Sequence, residues 1–119
     1  MEEMYISDKS LTRLPSDLPE KVEGDFNCYD NQLTSLEHCP SEVGGDFSCS
    51  YNKLTSLDHG PTKIGGNFFC SHNKLTSLEH CPSEVGGDFF CSNNKLTSLK
   101  HVQTNIGDNF FSFHYKLKS

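Results

Sequence analysis

The string Asn-x-Leu-Thr-Ser-Leu begins at Asn31, Asn52, Asn73 and Asn94, a spacing of 21 residues each time. No other feature of the chain restricts its fold so strongly. A unit this short cannot bury a core alone, so each copy must stack on its neighbours, and the array behaves as one folded body. Gly-(Asp/Asn)-Phe-x-Cys precedes each copy, placing Phe26, Phe47, Phe68 and Phe89 in one column. The first copy, at about 3–24, is degenerate: Leu11-Thr12-Arg13-Leu14 matches Leu33-Thr34-Ser35-Leu36, and one extra residue between Pro15 and Pro19 precedes the return to register at Val22. Regular copies follow at 25–45, 46–66, 67–87 and 88–108. A partial cap at 109–119 carries Ser112 in the Cys column and Tyr115 in the Asn column. The chain of 119 residues reads as a single domain, with no room for a second, catalytic one.

Within each copy the alternation in Phe47-Ser48-Cys49 sends Phe47 and Cys49 inward and Asp46, Ser48 and Ser50 outward if the segment is extended. The expected fold is therefore a mainly β solenoid. Its six short parallel strands lie at Glu3–Ser7, Asp25–Tyr29, Asp46–Ser50, Asn67–Ser71, Asp88–Ser92 and Asn109–Phe113. At about 4.8 Å per rung the stack is about 24 Å long. Pro40, Pro61 and Pro82 sit on the return path, which is expected to be extended or turn-like. Ala is absent, which disfavours a helical bundle.

The residues Phe47-Ser48-Cys49-Ser50-Tyr51-Asn52-Lys53-Leu54 fit the second half of the pattern L-x-x-L-x-L-x-x-N-x-L, with Phe and Cys in Leu positions. On this pattern the chain resembles the leucine-rich repeats over about residues 3–117. The run Leu-Thr-Arg-Leu-Pro-Ser-Asp-Leu-Pro at 11–19 is similar to the short repeats of bacterial effectors. Short arrays of this kind also resemble products of bacterial viruses. Gly44, Gly65 and Gly86 depart from the pattern by filling the first Leu column, which shifts to Val43, Ile64 and Val85. The resemblance implies a protein-binding function on the concave face of the sheet, exerted by a phage or bacterial product on a host protein.

The repeated columns suggest structural duties. Asn31, Asn52, Asn73 and Asn94 read as a ladder of buried amides satisfying backbone groups of their own and the next coil. Cys28, Cys49, Cys70 and Cys91 form another column, and Cys39 and Cys81 share a third. Parallel side chains do not converge on a zinc tetrahedron, and their Cβ atoms stand farther apart than a disulfide prefers. They are expected to be free, buried thiols in a reducing cytoplasm, that of a host cell included. His38, His59, His80 and His101 follow the acidic Glu37, Asp58 and Glu79, and protonation near pH 6 is expected to load adjacent rungs with like charge. No metal and no cofactor is expected. Gly-Gly-Asp-Phe at 44–47 and 86–89 is similar to the signature of cyclic-dinucleotide synthases, but it recurs with the coil and reads as a tight bend into each strand.

Function is expected on the outward sheet face. One row reads Glu3, Asp25, Asp46, Asn67, Asp88, Asn109; the next reads Tyr5, Asn27, Ser48, Phe69, Phe90, Phe111; the third reads Ser7, Tyr29, Ser50, Ser71, Ser92, Phe113, with Tyr51 just beyond. Contiguous exposed aromatics mark interaction surfaces. The expectation is a non-enzymatic module that docks a protein partner through Phe69, Phe90, Phe111, Phe113, Tyr29 and Tyr51, with Asp25, Asp46 and Asp88 favouring a basic surface. The alternatives are a self-associating homodimer and an acidic mimic of nucleic acid. Direct binding of nucleic acid conflicts with the net charge of −6. No run approaches the roughly 18 apolar residues of a membrane span, and the N-terminus lacks the pattern of a secretory signal.

Overall fold

A computed structural model describes residues 3–99, 102 and 104–111. These residues form a succession of short strands and turns with no helix: β1 (Met4–Tyr5), β2 (Lys21–Val22), β3 (Phe26–Asn27), β4 (Glu42–Val43), β5 (Phe47–Ser48), β6 (Lys63–Ile64), β7 (Phe68–Phe69), β8 (Glu84–Val85), β9 (Phe89–Phe90), β10 (Asn105–Ile106) and β11 (Phe110–Phe111). Odd-numbered strands build one parallel sheet in the order β1-β3-β5-β7-β9-β11. Even-numbered strands build a second, in the order β10-β8-β6-β4-β2. The architecture is a β-solenoid in which each strand pairs with its equivalent one repeat away, as in Phe47↔Phe68 and Val43↔Ile64.

The first sheet occupies the expected segments, although its regular strands span two residues each. Ladder bonds continue past them: Cys28 N–H donates to the Ser48 carbonyl at 2.9 Å and Asp30 N–H to that of Ser50 at 3.0 Å. The return path is extended, as expected, and its extended segments pair into the second sheet. Its strands show little alternation because each is only two residues long. What forms them is stacking: Val22, Val43, Ile64 and Val85 are all buried and in register, so their backbones are carried into pairing.

The regular coils contribute equivalent inward sets. In the coil containing β5 the set comprises Val43, Phe47, Cys49, Leu54 and Leu57, none more than 2% exposed. Burying each such large side chain contributes about 1.5–3 kcal/mol. Pro40, Pro61 and Pro82 are buried on the return path, where the ring fixes φ.

The glycine pairs Gly44-Gly45, Gly65-Gly66 and Gly86-Gly87 form the bends into β5, β7 and β9, as expected, but without a positive φ. The left-handed positions that turn the chain after each strand are Asp30, Tyr51, His72 and Asn93, with φ of 58, 58, 58 and 59°. Glycine is needed for close approach instead. A Cβ on Gly65 would collide with the backbone carbonyl oxygen of Gly44, and one on Gly86 with that of Gly65.

Candidate partner-binding face

The outward face of the first sheet is built on two ladders that hold successive coils together. Asn52 accepts from Leu33 N–H at 2.9 Å, while its Nδ2 donates to the carbonyls of Cys28 at 3.1 Å and Cys49 at 3.0 Å. Asn73 repeats this with Leu54, Cys49 and Cys70, and Asn94 with Leu75, Cys70 and Cys91. Asn31 accepts from Lys9 and Leu11 N–H, both at 3.0 Å, and donates to Ile6 and Cys28. Each amide thus spans its own coil and the preceding one, the opposite direction from that expected.

Along the sheet's other margin, Asp25 Oδ1 accepts from Asp46 N–H at 2.8 Å, Asp46 Oδ1 from Asn67 N–H at 2.8 Å, Asn67 Oδ1 from Asp88 N–H at 2.7 Å and Asp88 Oδ1 from Asn109 N–H at 2.9 Å. The acidic row is therefore half-buried and engaged in the fold. A Cβ on Gly45 or Gly66 would fall on the oxygen of Asp25 or Asp46, so the second glycine of each pair makes room for this bond. Sequence reasoning missed the ladder; its signal was the strict Asp/Asn identity of the column.

Between the ladders lie the aromatic residues. Phe69, Phe90 and Phe111 are half-buried and stack in a column, with centroids 4.8 Å apart at both steps and interplanar angles of 3 and 7°. The 4.8 Å step matches the rung spacing of a sheet, so side chains in register bring planar rings into contact. Tyr51 stacks on His72, centroids 4.3 Å apart, and His72 Nε2 lies 3.2 Å from Asn93 Nδ2. Tyr5, Tyr29 and Tyr51 are 52, 43 and 56% exposed. The Tyr5 hydroxyl donates to Asp25 Oδ2 at 3.3 Å. Its phenol is raised above its ordinary range, by desolvation first and then by the Glu3 and Asp25 carboxylates.

Ser48 and Ser50, expected to be exposed, are each only 8% accessible. They sit at a shallow depression of about 340 Å³ lined also by Asn27, Tyr29, Asp46, Tyr51 and Phe69. Phe113, grouped with this face in the sequence, lies outside the described residues, as does His101 of the His column.

The Cys column is interior. Cys28, Cys49, Cys70 and Cys91 are fully buried free thiols, and Cys39 and Cys81 are partly buried and free. Burial pushes Cys28 up to about 12, and burial followed by neighbouring thiols pushes Cys49 and Cys70 well above the ordinary range. Thiolate is the reactive form of cysteine, so these groups are chemically quiet. His38, His59 and His80 occupy left-handed turns, with φ of 75, 69 and 70°, a conformation His tolerates better than most residues. Each lies 3.7–4.0 Å from the carboxylate preceding it. Among the described residues no group of three or more His, Cys, Asp and Glu is placed to hold a metal ion, and no helix is long and apolar enough to cross a membrane.

Comparison of the chain with known protein families, curated proteins and solved structures finds no match in any of the three.

Proposed function

We propose that this chain is a non-enzymatic protein-interaction module of the leucine-rich-repeat type, docking a partner protein through the outward face of its first sheet. The observation that supports this reading is the parallel column Phe69–Phe90–Phe111, whose rings remain half-exposed. Aromatic anchors of this kind carry much of the energy at protein interfaces. Tyr29 and Tyr51 extend the aromatic surface, and the net charge of −6 attracts a basic partner. Asp46 and Asp88 spend one oxygen each on the fold and keep the second for a partner or solvent, while Asp25 gives one oxygen to Asp46 N–H and the other to the Tyr5 hydroxyl. Six free thiols fit a reducing cytoplasm, that of a host cell if the protein acts as a phage or bacterial effector.

The test compares wild type with the triple variant Phe69→Ser, Phe90→Ser, Phe111→Ser, after circular dichroism has shown both to be folded. The reading expects the wild type to capture a partner that the variant does not; equal capture overturns it. A second reading, homodimerisation, draws on β1, which pairs with β3 and has an unpaired far edge among the described residues. Light scattering that gives twice the monomer mass, with no other partner captured, favours it.

A further inference from the structure

The column bearing the outer rings does not continue along the whole sheet. In register it reads Asn27, Ser48, Phe69, Phe90, Phe111. Phe90 is the one ring stacked on Phe69 among the described residues, because the position before it is Ser48. A stack with a 4.8 Å step thus ends on an open ring face, and the depression lies beside that face. Tyr29 and Tyr51 supply further aromatic surface, Ser48 and Ser50 supply hydroxyls, and Asp46 supplies a carboxylate. One oxygen of Asp46 is held by Asn67 N–H at 2.8 Å, and Oδ2 has no hydrogen-bond partner among the described residues.

The occupant must be flat, to extend the stack, and must donate hydrogen bonds to acceptors that include a carboxylate. A phenyl ring meets the first requirement but would desolvate Asp46 without pairing it. An ammonium group meets the second but is compact, strongly hydrated and has no planar face. A guanidinium group meets both, stacking on an aromatic face while its N–H groups reach a carboxylate. We propose that the depression over Ser48 receives the guanidinium group of an arginine side chain of the partner, which takes the place of the missing ring and pairs with Asp46. The proposal rests on the reading of this face as a partner-binding surface and specifies the chemistry of one subsite within it.

The test titrates the protein with N-acetyl-arginine-N-methylamide and with its lysine, citrulline and phenylalanine counterparts, following the ring protons of Phe69 and Tyr51 by NMR. The arginine derivative is expected to give saturable shifts, and neutral citrulline, of nearly the same shape, to bind at least about tenfold more weakly. Ser48→Phe places at this rung the ring that Phe69 carries on the next, and is expected to abolish the response. Asp46→Asn keeps an amide oxygen for Asn67 N–H, as Asn67 itself does for Asp88. It is expected to stay folded and lose the preference for arginine over citrulline.

The proposal is overturned by the absence of a saturable shift with the arginine derivative, by an equal or stronger response to the lysine or phenylalanine derivative, or by an Asp46→Asn protein that still prefers arginine. If Asp46→Asn captures the protein partner as well as wild type while the triple Phe→Ser variant captures none, the arginine seat falls and the binding face stands. Capture indifferent to the triple substitution removes the face itself.

Discussion

Phe68 and Phe69 are neighbours in sequence and lie on opposite sides of one strand, and their columns behave differently. The inner column, Phe26–Phe47–Phe68–Phe89–Phe110, has centroid steps of 5.6, 5.8, 4.9 and 5.0 Å and interplanar angles of 6, 20, 88 and 56°. The outer column keeps 4.8 Å and near-parallel planes at both steps. Inside, Leu, Cys and Val side chains press on each ring from every direction, and the rings rotate to fill the volume left to them. Outside, the neighbouring rung is the main constraint, so the ladder alone sets the geometry. Phe26, Phe47, Phe68 and Phe89 have already lost all contact with water, with Phe110 partly buried at the end of the column; the outer rings still have apolar area to bury. That difference separates what holds the fold from what is available to a partner.

The comparison can be broken most directly with a pair of single substitutions. Phe68→Ala should lower the unfolding free energy by about 3–5 kcal/mol, as for other buried aromatic truncations. Phe69→Ala should cost about 1 kcal/mol, the worth of its ring pairing, and leave the coil intact. Equal losses in urea denaturation would erase the distinction between the columns.

Asn73→Ala, which keeps both columns of rings but orphans Leu54 N–H and leaves the carbonyls of Cys49 and Cys70 with one amide donor each, from Asn52 and Asn94, should cost about 1–3 kcal/mol by the same assay. A smaller loss would show that ring and aliphatic packing alone clamps the coils together.

Alkaline titration probes the inner side. The thiols of Cys28, Cys39, Cys49 and Cys70 lie above the unfolded value of 9.0, with Cys28 at about 12, so the unfolded chain releases their protons first as pH rises. Stability is therefore full below pH 9 and falls between about 9 and 12, by about 1.4 kcal/mol per pH unit for each thiol ionised only in the unfolded chain. Cys28→Ala should lessen that slope in melting experiments at pH 8, 9 and 10; an unchanged slope would mean that Cys28 is not sealed from water in solution.

The smallest effect belongs to the second sheet, whose outward row Lys21, Glu42, Lys63, Glu84 alternates in sign along its register. Lys63→Glu sets three carboxylates in a row and should cost about 0.5 kcal/mol, diminishing in salt. It should leave partner capture unchanged, because this face balances its own charge while the aromatic face does not.

Much of the first sheet was legible beforehand. The alternation in Phe-x-Cys separates inward from outward residues at every copy, and the recurrence of Asn after it marks a position at which a buried amide must find backbone partners. The second sheet was not legible, because Lys63-Ile64 is too short to display a period and its pairing comes from the coils on either side. The glycine bends were legible, but their reason was not, since sequence does not distinguish a residue needed for positive φ from one needed for backbone contact. The depression beside Phe69 escaped notice although its signal was visible, in the change from Ser48 to Phe69 within one column.

The sequence by itself determined the repeat length, the stacking of like on like, the inner Phe, Cys and Leu columns and the crowding of aromatics on the later rungs. These follow from periodicity, which transfers any property of one copy to the next. Only the tertiary structure decided that the acidic row is tied to the next rung's backbone, that Ser48 and Ser50 are buried, that a second sheet closes the coil, and that Phe69 and Asp46 border one depression. Those features depend on contacts between residues about 20 positions apart, whose distances are fixed by how coils stack rather than by any local preference.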